Sequence, residues 1–125
     1  ETKDSFSNTP LPQEEKALLD RCHGDVMLFR LRGPLSFGAA KGITERMMLI
    51  RNYKVLILDI TEVPRLGVTA TLAIEDMMQE AKVNSRKAYV AGATGSVKER
   101  LSRFGVKGIV GTRKEALTLA LEDIK

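Results

Sequence analysis

The apolar positions of this chain change their spacing several times, and each change marks an element. Ala17 to Leu19 is a short apolar run that reads as a strand. The turn-forming His23-Gly24-Asp25 and then Val26 to Leu31 follow it, so the pair reads as a hairpin. Arg30 and Arg32 alternate with Phe29 and Leu31, as on a strand with one face in solvent, and Gly33-Pro34 ends it. From Ser36 the period lengthens: Ala40, Ile43, Met47 and Ile50 line one side of a helix that ends near Arg51. Val55 to Ile60 has no alternation and is partly β-branched, which fits a central strand covered on both faces and paired in parallel.

A second helical stripe runs through Ala70, Ala73, Ile74, Met77, Met78 and Ala81, opposite Thr71, Glu75, Asp76, Gln79 and Glu80. The short strand Ala88 to Ala91 leads into Gly92-Ala93-Thr94-Gly95. Ser96 with Glu99 then forms a capping box for a third helix, whose Val97, Leu101 and Phe104 share a face and whose stop is Gly105. A last strand near Gly108 to Val110 precedes a second capping box, Thr112 with Glu115, and a fourth helix carrying Ala116, Leu117, Ala120 and Leu121. This succession predicts an α/β fold: a mixed sheet of about four to five strands with an antiparallel N-terminal edge, and about four helices packed on it. Residues 1–16, with Pro10, Pro12 and no period, read as a linker from an upstream domain, which leaves 17–125 as the folded unit.

Composition narrows the class. The chain has 125 residues, 43% of them hydrophobic, which suits one soluble domain able to bury roughly two thirds of the surface it exposes when unfolded. Cys22 is the sole cysteine, so no internal disulfide forms, and a reducing compartment is favoured. Apolar runs such as Val55 to Leu58 fall far short of the roughly 18 residues that span a bilayer. A chain that opens on Glu1 rather than Met reads as processed or as cut from a longer protein.

The net charge of +4 is unevenly spread: residues 1–16 carry −2, whereas Lys82 to Lys107 holds seven basic residues against Glu99 alone and carries +6. That stretch reads either as a solvated helix face or as a local site for an acidic partner, lipid headgroups or a nucleotide phosphate. Duplex-binding motifs are missing, which argues against nucleic acid.

The catalytic inventory is poor. His23 and Cys22 are adjacent with no further His or Cys, which cannot build an ordinary zinc site, and His23 reads as a turn residue. Met47, Met48, Met77 and Met78 have the helical spacing of core residues rather than of a soft-metal site. No catalytic residue, metal or cofactor is expected. Two loops remain. Thr94, Gly95, Ser96 and Lys98 follow a strand and open a helix, where free amides favour an anion or nucleotide, or else serve only as a tight connection without the P-loop ending. Asp59 and Thr61, followed by Arg65, Leu66, Gly67, Val68 and Thr69, lie after the central strand, where open α/β sheets bind ligands; Asp59 can equally cap the turn.

These last residues carry a resemblance. Leu56-Ile57-Leu58-Asp59-Ile60-Thr61-Glu62-Val63-Pro64, then Leu66-Gly67-Val68-Thr69-Ala70 and an Ala/Met-rich helix, resemble the signature of the STAS domain (sulfate transporter and anti-sigma factor antagonist). Leu31-Arg32-Gly33-Pro34-Leu35-Ser36-Phe37-Gly38-Ala39-Ala40 resembles the family's first-strand-to-helix segment, particularly in its transporter branch. The resemblance covers about residues 17 to 123. It implies a non-catalytic cytoplasmic domain of a SulP-type bicarbonate or sulfate transporter at the inner membrane. Its partners would be that transporter's transmembrane domain and, in a homodimer, a second copy. Its loop from Asp59 to Thr69 would serve regulation or partner binding. The chain departs from the stand-alone antagonists at the second helix, where Gly67 and Val68 match the family's Asp and phosphorylated Ser; Thr69 matches the next hydroxyl residue. That departure weighs against the alternative, a partner-switching anti-sigma factor antagonist. For self-association, an unpaired sheet edge at Ala17 to Leu19 is the expected contact.

Overall fold

The computed structural model describes residues 11–22, 24–32, 42, 45 and 53–124. Its elements are helix α1 (Gln13–Asp20), strands β1 (Val26–Arg32) and β2 (Val55–Glu62), helix α2 (Val68–Val83), strand β3 (Lys87–Ala91), helix α3 (Gly95–Arg103), strand β4 (Ile109–Val110) and helix α4 (Arg113–Asp123). The strands form one sheet in the order β1-β2-β3-β4, and every pairing is parallel. Parallel neighbours need a crossover, which α2 provides between β2 and β3 and α3 between β3 and β4. Of the helix expected over 36–51, only Gly42 and Glu45 are described, both helical. Its stripe of Ala40, Ile43, Met47 and Ile50 lies outside the described residues, as do His23 and Gly33-Pro34.

The two-residue period of β2 assigns the layers. Leu56, Leu58 and Ile60 point to one face and join Ile74 and Met77 of α2 and Leu101 of α3 in the larger core. Val55 and Ile57 point to the other, against Ala116, Leu117 and Ala120 of α4 and Cys22 beyond α1. Both faces are dry, which is why β2 shows no alternation. Full burial of side chains of this kind contributes about 1.5 to 3 kcal/mol each. Met77 is buried and Met78 packs partly buried beside it, as the helical spacing requires.

The α/β architecture is the expected one, with three local corrections. Ala17 to Leu19 is not a strand but the second half of α1. Three residues of high helix propensity follow Glu14 and Glu15, whose charges suit a first helical turn, so no antiparallel hairpin forms and the described sheet is wholly parallel. Ser96 does not cap α3: Thr94 holds the N-cap position, because Gly95, at φ +54°, already makes the turn into the helix. Thr71, expected on the polar side of α2, is buried; its hydroxyl donates to the carbonyl of Gly67 at 2.8 Å and so needs no water. Of the second capping box, the N-cap half is present: Thr112 Oγ1 accepts from the Glu115 amide at 3.1 Å.

Candidate functional site

Asp59 belongs to the same series of β2 as Val55 and Ile57, so the alternation that builds the smaller core also places a carboxylate at its rim. It is only 2% exposed. One oxygen, Oδ1, accepts from the amide and the hydroxyl of Thr61, which closes the strand end in a local turn. The other, Oδ2, accepts from Arg113 Nη1 at 2.8 Å and lies 3.6 Å from Arg30 Nε. Arg30 is the cross-strand partner of Asp59 in the parallel register, and its second ion pair reaches Glu62 at 3.9 Å. Arg113 also donates to Glu15 of α1, beside an ion pair of Lys114 with Glu14. Burial opposes the charge on Arg113, but the hydrogen bonds to Asp59 and Glu15 outweigh it and hold its pKa above the usual guanidinium value. These groups form a charge cluster that joins α1, β1, β2 and α4. Both oxygens of Asp59 are engaged, Oδ1 by Thr61 and Oδ2 by Arg113 and Arg30, so this carboxylate ties the cluster together.

Past the turn the chain runs into a cleft of about 320 Å³ lined by Pro64, Arg65, Leu66, Gly67, Ser96, Val97 and Arg100. The fold thus brings together part of each loop singled out in the sequence: Arg65 to Gly67 after β2, and Ser96 after β3. Both lie at the carboxyl edge of a parallel sheet, where strand-to-helix loops converge. Leu66 is buried and anchors the loop, while Gly67 leaves open space above the backbone. Arg65, Ser96 and Arg100 all line this cleft, residue types suited to a carboxylate or phosphate. Val68 is 52% exposed at the first turn of α2 and Leu72, one turn on, is 42% exposed, giving the rim an apolar step.

Thr94, Gly95 and Lys98 are exposed but do not line the cleft. Thr69 is in the first turn of α2, and its side chain lies outside the described residues. Thr61 packs against Gly92, where a β-carbon would come within 2.2 Å of Thr61 Oγ1. Arg30, expected in solvent, is largely buried against Asp59 because β1 pairs in parallel beside it. Arg100, part of the basic stretch read as a local site for an acidic partner or a phosphate, lies one turn after Ser96 on α3 and so on the same face. Reasoning from sequence missed Arg113. Arg113 carried no local signal, since its partner Asp59 is 54 residues away.

With this geometry in view, comparison with known proteins gives a consistent result. A family model described as "STAS domain" matches residues 18–120. The bicarbonate transporter BicA of Synechocystis sp. is 43% identical over 96 residues, which is 77% of this chain and 17% of that protein. BicA of Picosynechococcus sp. is 41% identical over 101 residues, 81% of this chain and 18% of that protein. The chain therefore spans under a fifth of the length of these relatives. Among solved structures, a SulP transporter STAS domain from Vibrio cholerae superposes with a TM-score of 0.76 at 25% identity, covering 90% of this chain and 98% of that one.

Proposed function

The chain belongs to the STAS domain family, and from that premise we propose that it is the non-catalytic, cytoplasmic module of a SulP-type anion transporter, with bicarbonate as the transported anion. The observation that carries this reading is the 43% identity to a bicarbonate transporter across 77% of the chain. Among the described residues no helix is long and apolar enough to cross a membrane, so the transport path falls to a separate membrane domain. The module acts through contacts. Its loop from Arg65 to Val68, with Ser96 and Arg100 across the cleft, is the surface on which the membrane domain or a second copy bears. Val68 and Leu72 give that surface apolar area, which a dimer needs more than exposed ion pairs worth about 0 to 1 kcal/mol each.

The sequence at the start of α2 separates this reading from a partner-switching antagonist. Val68 stands in an exposed position at the helix N-terminus, where a phosphate would be stabilised by the dipole, but it has no hydroxyl to accept one. The test is uptake of labelled bicarbonate by cells carrying the complete transporter, its version lacking residues 17–125, and an Arg65→Glu/Arg100→Glu variant. Loss of uptake on deletion, with a reduced rate in the double variant, is the expected result. A deletion that leaves uptake and dimer formation intact overturns it, and stoichiometric phosphate on Thr69 in the native protein restores the switch.

A further inference from the structure

The seven basic residues between Lys82 and Lys107 do not form one patch. Arg100 reaches the cleft at the carboxyl edge of the sheet, whereas Lys82, Arg86, Lys87 and Lys107 gather around a separate groove of about 340 Å³ at the opposite, amino edge. Those four come from the end of α2, the start of β3 and the loop before β4. Glu75 is the sole acidic residue lining the groove. Lys82, Lys87 and Lys107 are exposed and make no ion pair with a described residue. Arg86 is fixed instead, its Nε donating to the Tyr53 carbonyl at 3.3 Å and its guanidinium lying 4.2 Å from the centre of the Tyr53 ring. Met78 and Val106 provide an apolar floor.

We propose that this groove binds an acidic peptide segment of a soluble protein partner, with carboxylates on the lysine rim and an aliphatic side chain on the floor. Charge complementarity fixes the sign of the occupant: Lys82, Lys87 and Lys107 line one groove with no described carboxylate paired to them, which attracts an anionic segment. Two observations favour a peptide over an anionic membrane. The cations surround a concave site with an apolar base, whereas a flat bilayer meets a protruding basic surface best. In addition, α1 begins beside Asp59 and Arg113 at the carboxyl edge of the sheet, opposite the groove. If the membrane domain of the function proposed above lies on the side where α1 begins, the groove faces away from the bilayer. The orientation argument rests on that function; binding by the groove does not.

The experiment uses the 125-residue chain and a fluorescein-labelled peptide of alternating Glu and Leu, followed by anisotropy, with amide chemical shifts mapping the site. Saturable binding that weakens with salt and shifts the Gly105 and Gly108 amides is the expected result. Lys82→Glu/Lys107→Glu should weaken it by about tenfold or more, while Lys16→Glu/Lys98→Glu, an equal change of charge on other surfaces, should weaken it by about twofold or less. Absence of saturable binding, equal loss in both variants, or shifts confined to the Arg65 to Val68 loop overturns the proposal. So does tighter binding to vesicles of mixed phosphatidylcholine and phosphatidylserine than to the peptide, which would make the surface a lipid contact. None of these outcomes bears on bicarbonate uptake, so the groove and the transporter reading fail separately.

Discussion

Arg113, the first residue of α4, donates to Asp59 on β2 at 2.8 Å, and the same guanidinium donates to Glu15 on α1. One side chain therefore couples the helix that leads into the domain to the centre of its sheet. Removing Asp59 leaves Arg30 and Arg113 facing each other in a poorly hydrated pocket. We expect Asp59→Ala to lower stability by about 3 kcal/mol, and Arg113→Ala by about 2 kcal/mol because Arg30 still compensates Asp59. Urea unfolding followed by circular dichroism measures both, and a double variant should show clear non-additivity.

Cys22 reports on the docking of α1. Its thiol is wholly buried, donates to the Leu18 carbonyl at 3.3 Å, and is pushed above the usual thiol pKa first by burial and then by Asp25. Reaction with a disulfide reagent at neutral pH should be slow in the native protein and fast after denaturation. In Arg113→Ala the native rate should rise by roughly tenfold or more, as α1 undocks more often without global unfolding. An unchanged rate would mean that α1 is held by its apolar contacts alone.

Alkaline pH should expose a second coupling. Tyr89 donates to Asp123, and burial together with that carboxylate raises its pKa to about 12. The unfolded chain releases this proton near pH 10, the folded protein only near 12, so between those values the folded state binds more protons. Stability contributed by this group is complete below pH 10 and is lost as pH rises toward 12. Tyr53 is also raised, chiefly by burial. Phenolate absorbance at pH 11 should therefore be well below that of the unfolded chain, whose two tyrosines ionise freely. Asp123→Asn should bring the Tyr89 titration back toward 10.

Gly92 is constrained twice, by φ +82° and by its contact with Thr61. A β-carbon there would also lie 2.8 Å from Thr61 Cα, which is backbone and cannot swing aside. Gly92→Ala should cost about 3 kcal/mol or more in urea unfolding. Gly67→Ala is the matched control: its β-carbon meets nothing within 4 Å, and the cost should be about 0.5 kcal/mol or less.

Long-period features were the legible part of this sequence. The stripe through Ile74, Met77 and Ala81 and the unbroken apolar run of β2 reflect burial that a single element imposes on its own residues. The α1 region was misread because three apolar residues carry too little period to separate strand from helix, and a hairpin then placed Arg30 in solvent. Asp59 and the Arg65 to Gly67 loop stand out in the sequence as candidates, but the partners of Asp59, Arg113 and its parallel neighbour Arg30, are supplied by tertiary structure. The split of the basic stretch was hidden for the same reason: residues close in sequence descend α3 and end at opposite edges of the sheet.

The strand order equals the order of synthesis. Among the described residues, each strand made on the ribosome can join an edge already present, and no early strand has to wait for a late one to separate it from its neighbour. The link from Glu15 to Arg113 is different, since it bridges 98 residues and joins the first described helix to the last. Until α4 emerges, Leu18, Leu19 and Cys22 lack Ala116, Leu117 and Ala120, the α4 side chains that share their core. A nascent or truncated chain thus displays an uncovered apolar surface next to its buried thiol, and the closing of that one contact distinguishes a finished domain from an unfinished one.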